Sequence, residues 1–108
     1  MSGGDDVLSE MVLFGGIFAK MWAVPRAGTL IGQHAHESDH ISMIVSGAVR
    51  VWCGPDLLGD FLAPAMVKIP ARLKHKFLTL GDGVVICCLH ALDTPDVPIF
   101  DENRPEEA

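Results

Sequence analysis

Short apolar runs, broken by Gly and Pro about every ten residues, predict an all-β sandwich or barrel for this chain. Two observations strengthen that reading. Side chains alternate in character along the runs, as in His75-Lys76-Phe77, where a residue that suits an interior alternates with one that suits water. Helical periodicity is also scarce: only Val7 to Phe14 has room for a helical turn, and the Gly15-Gly16 pair would end it.

The runs predict strands at Gly16 to Val24, Ile41 to Val45, Ala48 to Cys53, Met66 to Ile69, His75 to Leu80 and Val84 to His90. Pro25, Gly28 and Gly32 break the first connection. Ser46-Gly47 reads as a tight turn, Gly54-Pro55-Asp56 as a turn tip and Gly81-Asp82-Gly83 as a hairpin loop. The chain divides into an N-terminal segment (1–14, a short helical turn or a swapped strand), a barrel (15–92) and an acidic C-terminal tail (93–108). The tail's prolines and carboxylates leave little that can pack. On the fourth run His40, Ser42 and Ile44 share one face, and Ile41, Met43 and Val45 the other. Both faces are apolar enough to need cover, which either the N-terminal strands or a second subunit would supply; a homodimer is the favoured reading.

Hydrophobic residues make up 49% of the 108 residues and charged ones 20%, which suits a compact domain. The net charge of −6 argues against nucleic acid as a partner. Lys68, Arg72, Lys74 and Lys76 cluster, but alternation explains the lysines as strand exteriors. No run is long enough to span a bilayer, and the start lacks a signal peptide's basic-then-apolar layout, so the expected setting is the cytoplasm. The three cysteines fit a reducing compartment: the number is odd, and Cys87 and Cys88 are adjacent and point to opposite faces.

The chemistry concentrates in histidine. His34, His36 and His40 fall within seven residues, and His75 lies in a later strand. Burying several imidazoles carries a desolvation cost without a packing gain unless something binds them. A divalent ion does so, because each neutral ring offers one nitrogen lone pair. His34 and His36 are one pleat apart, His40 keeps the same parity, and His75 would close the site from another strand. An all-nitrogen shell suits Mn, Fe, Co, Ni, Cu or Zn, one ion per chain. Four neutral ligands leave the +2 charge uncompensated, which favours anionic or chelating oxygen ligands at the open positions.

These residues also resemble a family. Gly28-Thr-Leu-Ile-Gly-Gln-His34-Ala-His36-Glu-Ser-Asp-His40, with Gly47 following, resembles the first cupin motif, and Ile69-Pro70-Ala-Arg72-Leu-Lys-His75 resembles the second. The resemblance implies a cupin, or double-stranded β-helix (jelly-roll), barrel with the metal inside one open end, held by His34, His36, His75 and the residue at position 40. His40 stands where the family usually has glutamate, Arg72 replaces the motif glycine, and Thr79 stands where asparagine is common. The chain has no tyrosine, which removes readings that use one as general base.

For the last strand, a two-residue Asp82-Gly83 turn would pair Leu80 with Val85, setting Cys88 opposite Phe77 and His90 opposite His75, both facing the cavity. A three-residue loop would turn Cys87 inward instead. Ile86-Cys87-Cys88-Leu89-His90-Ala91, Asp39-His40-Ile-Ser-Met and the Gly47-x-Val49-x-Val51 stretch are similar to small cupin-like proteins of tailed phages, a likeness that favours the first register and implies a host cytoplasm. The expected pocket is then Ser42, Phe77, Thr79 and Cys88, with His90 the nearest group for proton transfer. Three functions fit: a metal-dependent, dioxygenase-like enzyme acting on a small chelating substrate, a non-catalytic metal- or ligand-binding module, and a phage structural or accessory protein.

Overall fold

The computed structural model describes residues 7–33 and 39–91. The described residues form nine strands: β1 (Leu8–Phe14), β2 (Ile17–Val24), β3 (Leu30–Gln33), β4 (His40–Ser46), β5 (Ala48–Cys53), β6 (Asp56–Leu62), β7 (Ala65–Ile69), β8 (His75–Thr79) and β9 (Val84–Ala91). They form two antiparallel sheets, a five-stranded one in the order β1-β2-β9-β4-β7 and a four-stranded one in the order β3-β8-β5-β6. Their inner faces share one core, which includes Trp22, Ile31, Ile44, Val51, Phe77 and Ile86. The tail from residue 93 lies outside the described residues.

All six expected strands are present, with ends moved by a residue at most. The segment before Gly15 is a strand rather than a helical turn: β1 pairs with β2 from Leu8↔Ala23 to Phe14↔Ile17. Gly15 and Gly16, both at positive φ (59° and 86°), close this hairpin in the left-handed conformation a two-residue turn requires. A second glycine is fixed by space. At Gly47 (φ 82°) a Cβ would lie 2.7 Å from Val84 Cγ2, so the β4–β5 turn packs directly on the start of β9.

The connection after β8 differs from expectation. Gly81-Asp82-Gly83 does not close a hairpin, because β8 pairs with β3 and β5 while β9 pairs with β2 and β4 in the other sheet. The loop arches between layers, as a two-sheet closure requires, and His90 lies opposite His40 instead of His75. Asp82 accepts a hydrogen bond from Ala27 N (2.8 Å), and Gly83 N donates to Pro25 O (3.1 Å), tying the arch to the β2–β3 loop.

Alternation fixes what faces in. On β2 the buried residues are Phe18, Lys20, Trp22 and Val24; on β4, His40, Ser42 and Ile44; on β9, Val84, Ile86, Cys88 and His90. The register sets them in rows across the larger sheet: Phe18–His90–His40–Ile69, then Lys20–Cys88–Ser42–Val67, then Trp22–Ile86–Ile44–Ala65. On β8, His75, Phe77 and Thr79 are buried, while Lys74 and Lys76 are exposed, and Lys76 lies over the Trp52 ring (5.1 Å). On the outside of the smaller sheet the cross-strand pair Arg50–Asp60 makes two hydrogen bonds (2.7 and 3.0 Å) that raise the guanidinium's pKa and lower the carboxyl's. Both side chains are about half exposed to solvent, so the pair contributes little to stability.

Candidate metal centre

The site grows from β4 and β8, one strand from each sheet. His40 opens β4 and His75 opens β8, and both point inward because each begins the buried parity of its strand. Their rings meet across the barrel, with centroids 4.7 Å apart and planes tilted by 52°. Two imidazoles binding one ion side by side at about 2.1 Å would have ring centres roughly 4.6 Å apart. The pair therefore fits a shared ion. His34 and His36, the other two expected ligands, lie in the 34–38 segment outside the described residues. Among the described residues no three His, Cys, Asp or Glu side chains group so as to hold an ion.

His90 is in the same chamber, against His40. Its ring stacks on His40, with centroids 4.2 Å apart and planes within 25°. Lone pairs lie in the ring plane, so stacked rings aim them along nearly parallel lines that do not converge on one ion. On its other side His90 meets Phe18 (5.8 Å, tilted 53°). At 1% exposure it is an interior residue. His75 is held in turn by the edge of Phe77 (5.6 Å, 81°).

The other expected pocket residues are all buried, and their polar atoms are engaged. Ser42 Oγ and Cys88 Sγ share a hydrogen bond of 3.1 Å. Burial pushes the Cys88 thiol up to about 12; the Ser42 bond and the charge of Lys20 act in the opposite direction without overcoming it. Cys88 is thus a protonated thiol. Thr79 sits at the other end of β8: its hydroxyl accepts from Thr29 N (2.9 Å) and donates to Arg26 O (2.8 Å), clamping the β2–β3 loop.

Arg72 occupies the turn between β7 and β8 with φ 65°, the left-handed conformation that favours glycine. Its side chain is exposed. Ala71 N beside it donates to Asp39 Oδ1 (2.7 Å), which ties the turn before His75 to the residue before His40.

Lys20 went unread in the sequence. It is 2% exposed and interior, with its ammonium 5.1 Å from the centre of the Trp22 ring. The signal lay in parity: Phe18, Lys20, Trp22 and Val24 share a face, so a lysine stands among residues that can only be core.

No protein-family model matches the chain, and no curated protein matches it in sequence. Solved structures do match. A cupin superfamily protein from Desulfitobacterium hafniense superposes with a TM-score of 0.72 at 14% identity, over 86% of this chain and 84% of that one. An RmlC-like cupin with a double-stranded β-helix fold, from Methanocaldococcus jannaschii, gives 0.70 at 14% identity over 82% of each chain. The fold is that of the cupins. KdgF from Halomonas sp. superposes as well, with a TM-score of 0.69 and 18% identity over 88% of this chain and 86% of that one. At these identities the likeness is one of architecture. Within the cupin barrel the His40–His75 pair lies between the two sheets, each ring buried.

Proposed function

We propose that this chain is a small metal-binding cupin, holding one divalent transition metal (Mn, Fe, Co, Ni, Cu or Zn) through His34, His36, His40 and His75, and acting as an oxygenase-type enzyme on a small chelating substrate. The observation that carries the reading is the pairing of His40 and His75, buried and 4.7 Å apart between their ring centres. The bound ion would supply Lewis-acid or redox chemistry. The chain's own part is to fix the rings: His90 stacks on His40, Phe77 abuts His75, and the Asp39–Ala71 bond joins the segments that carry both.

A non-catalytic metal- or ligand-binding module is the second reading, favoured by the engaged state of the pocket's polar groups. Ser42 and Cys88 bond to each other, Thr79 bonds to the β2–β3 loop, and a thiol at about 12 is no base near neutral pH. Both readings require the ion. A phage structural or accessory role uses the barrel without it, and four histidines would then have no task.

Elemental analysis of the untagged protein tests the ion: about one transition metal per chain is expected, lost in His36→Ala with the fold retained. Metal that survives His36→Ala and His75→Ala together would refute the ligand set. Consumption of dioxygen with a panel of small chelating acids and ketones, absent in His36→Ala, separates the enzyme from the module.

We further propose that the chain is a homodimer packed through the outer face of the larger sheet. That face carries Met21 on β2, Cys87 and Leu89 on β9, Ile41, Met43 and Val45 on β4 and Met66 on β7, the last 72% exposed. β1 lies beside β2 in the plane of the sheet and leaves the outer face of β4 uncovered. A shallow apolar hollow lined by Met43, Val45, Pro64 and Met66 completes the surface.

A further inference from the structure

The register of the larger sheet gathers sulfur into one line on its outer face. Met21 on β2 pairs with Cys87 on β9, Cys87 with Met43 on β4, and Met43 with Met66 on β7. Four adjacent strands thus each place a sulfur at the same level. The rows on either side, Ala19–Leu89–Ile41 and Ala23–Val85, hold none. Three of the chain's five methionines stand in this one row. Packing alone does not ask for that, because leucine or isoleucine would serve an apolar face as well. Nor are the thioethers hidden: Met21 is 41% exposed and Met66 72%, while Cys87 and Met43 are half-buried.

The spacing suits a metal ion. Neighbouring strands lie about 4.8 Å apart, and facing Cβ atoms about 5 Å. Three sulfurs around one ion in a plane, each bonded at about 2.3 Å, stand roughly 4 Å from one another. Cys87 is the middle member and has a short side chain. Met21 and Met43 flank it with long, unbranched ones that can lean toward it from both sides. The donor set then chooses the ion. Thiolate and thioether sulfurs are soft ligands that select Cu(I) over the harder divalent metals. One thiolate against one monovalent cation also leaves the site neutral, as a partly buried apolar face requires.

We propose that Met21, Cys87 and Met43 form a site for one Cu(I) ion on the outer face of the larger sheet, with Met66 a fourth sulfur at its edge. Cys87 binds as the thiolate, its proton passing to solvent. The ligand set is complete within one chain and is separate from the histidine centre inside the barrel. It lies in the face proposed above for the dimer, so ion and partner act on the same surface.

The test is anaerobic competition for Cu(I) between the full-length protein and bicinchoninate, in chelator-stripped and zinc-loaded samples. Light scattering records the mass at each protein concentration. One Cu(I) per chain should be held through the sulfurs, equally in both samples. Cys87→Ser should weaken it at least a hundredfold, and Met21→Leu and Met43→Leu at least threefold each, with the backbone spectrum still dispersed. X-ray absorption at the copper edge should show a sulfur shell without imidazole. The proposal is overturned if wild type and Cys87→Ser hold Cu(I) equally at every concentration, or if Met21→Leu and Met43→Leu together change nothing. A shell containing imidazole, or copper that zinc displaces, would assign the ion to the histidines and overturn it too. One ion shared by two chains would overturn the single-chain ligand set. Should Cys87→Ser fail to fold, the absorption spectrum and the methionine double variant decide. Should the histidines prove to bind no metal, the stripped sample decides alone.

Discussion

Arg72 holds a left-handed backbone conformation, φ 65°, at the position where the second cupin motif has glycine. For a residue with a Cβ this conformation costs roughly 1–2 kcal/mol. Glycine escapes that strain but gives back roughly 0.5–1 kcal/mol, because its unfolded chain is freer. Arg72→Gly should therefore stabilise the protein by about 0.5–1 kcal/mol, a rise of a few degrees in Tm for a domain of this size. Arg72→Ala is the control: it removes the charge and the long side chain but keeps the Cβ. Since the arginine side chain is exposed, Ala should match the wild type to within about 0.5 kcal/mol. Urea unfolding of chelator-stripped protein at one fixed concentration makes the comparison, because a bound ion or a subunit equilibrium would shift each midpoint by mass action. If Arg72→Gly is no more stable than Arg72→Ala, backbone strain is not what distinguishes this turn, and the reasoning fails.

Two further predictions concern the buried polar groups. Thr79→Val removes the hydroxyl that clamps Arg26 O and Thr29 N, and should cost about 1–3 kcal/mol in urea unfolding while metal content stays unchanged; a loss of metal would place Thr79 in the site instead of the scaffold. The Cys88 thiol, raised from 9.0 to about 12 in the fold, stays protonated there while the unfolded chain loses its proton from pH 9 upward. Its contribution to stability is thus complete below pH 9 and declines as pH rises toward 12. In the native protein at pH 8 maleimide should spare Cys88 and Cys53. If the proposed dimer forms through the outer face, Cys87, which lies there, should react only after dilution to monomer mass, as checked by light scattering. Fast labelling of Cys87 in a species of dimer mass would exclude the outer face as the interface.

Much of the framework was legible because alternation and punctuation agree. His75, Phe77 and Thr79 against Lys74 and Lys76 sorted into buried and wet faces as read. The strands that escaped notice lack that contrast. β6 has Leu57 and Leu58 both exposed and Gly59 at φ 136° in its interior, where the pairing with β5 shifts register. β3 has four residues and contains Gly32. The β8–β9 connection misled for a different reason: a Gly-Asp-Gly loop suits an arch between sheets as well as a hairpin, and local composition does not record which sheet the chain enters next. The inward orientation of Cys88 and His90 holds all the same, through pairing with Ser42 and His40. In the site, the His40–His75 encounter followed from parity. The stacking of His90 on His40 did not, because it depends on β9 lying beside β4.

β9 is the middle strand of the larger sheet, hydrogen-bonded to β2 on one side and β4 on the other. Its successive residues serve opposite worlds: Val85, Cys87 and Leu89 look outward, and Ile86, Cys88 and His90 look in. Inserting or deleting one residue here would turn the strand inside out, exchanging Cys88 for Cys87 in the chamber and sending His90 to the surface. With neighbours on both sides the strand has no free edge along which such a change is absorbed. The length of β9 is therefore tied to two registers at once, those with β2 and with β4.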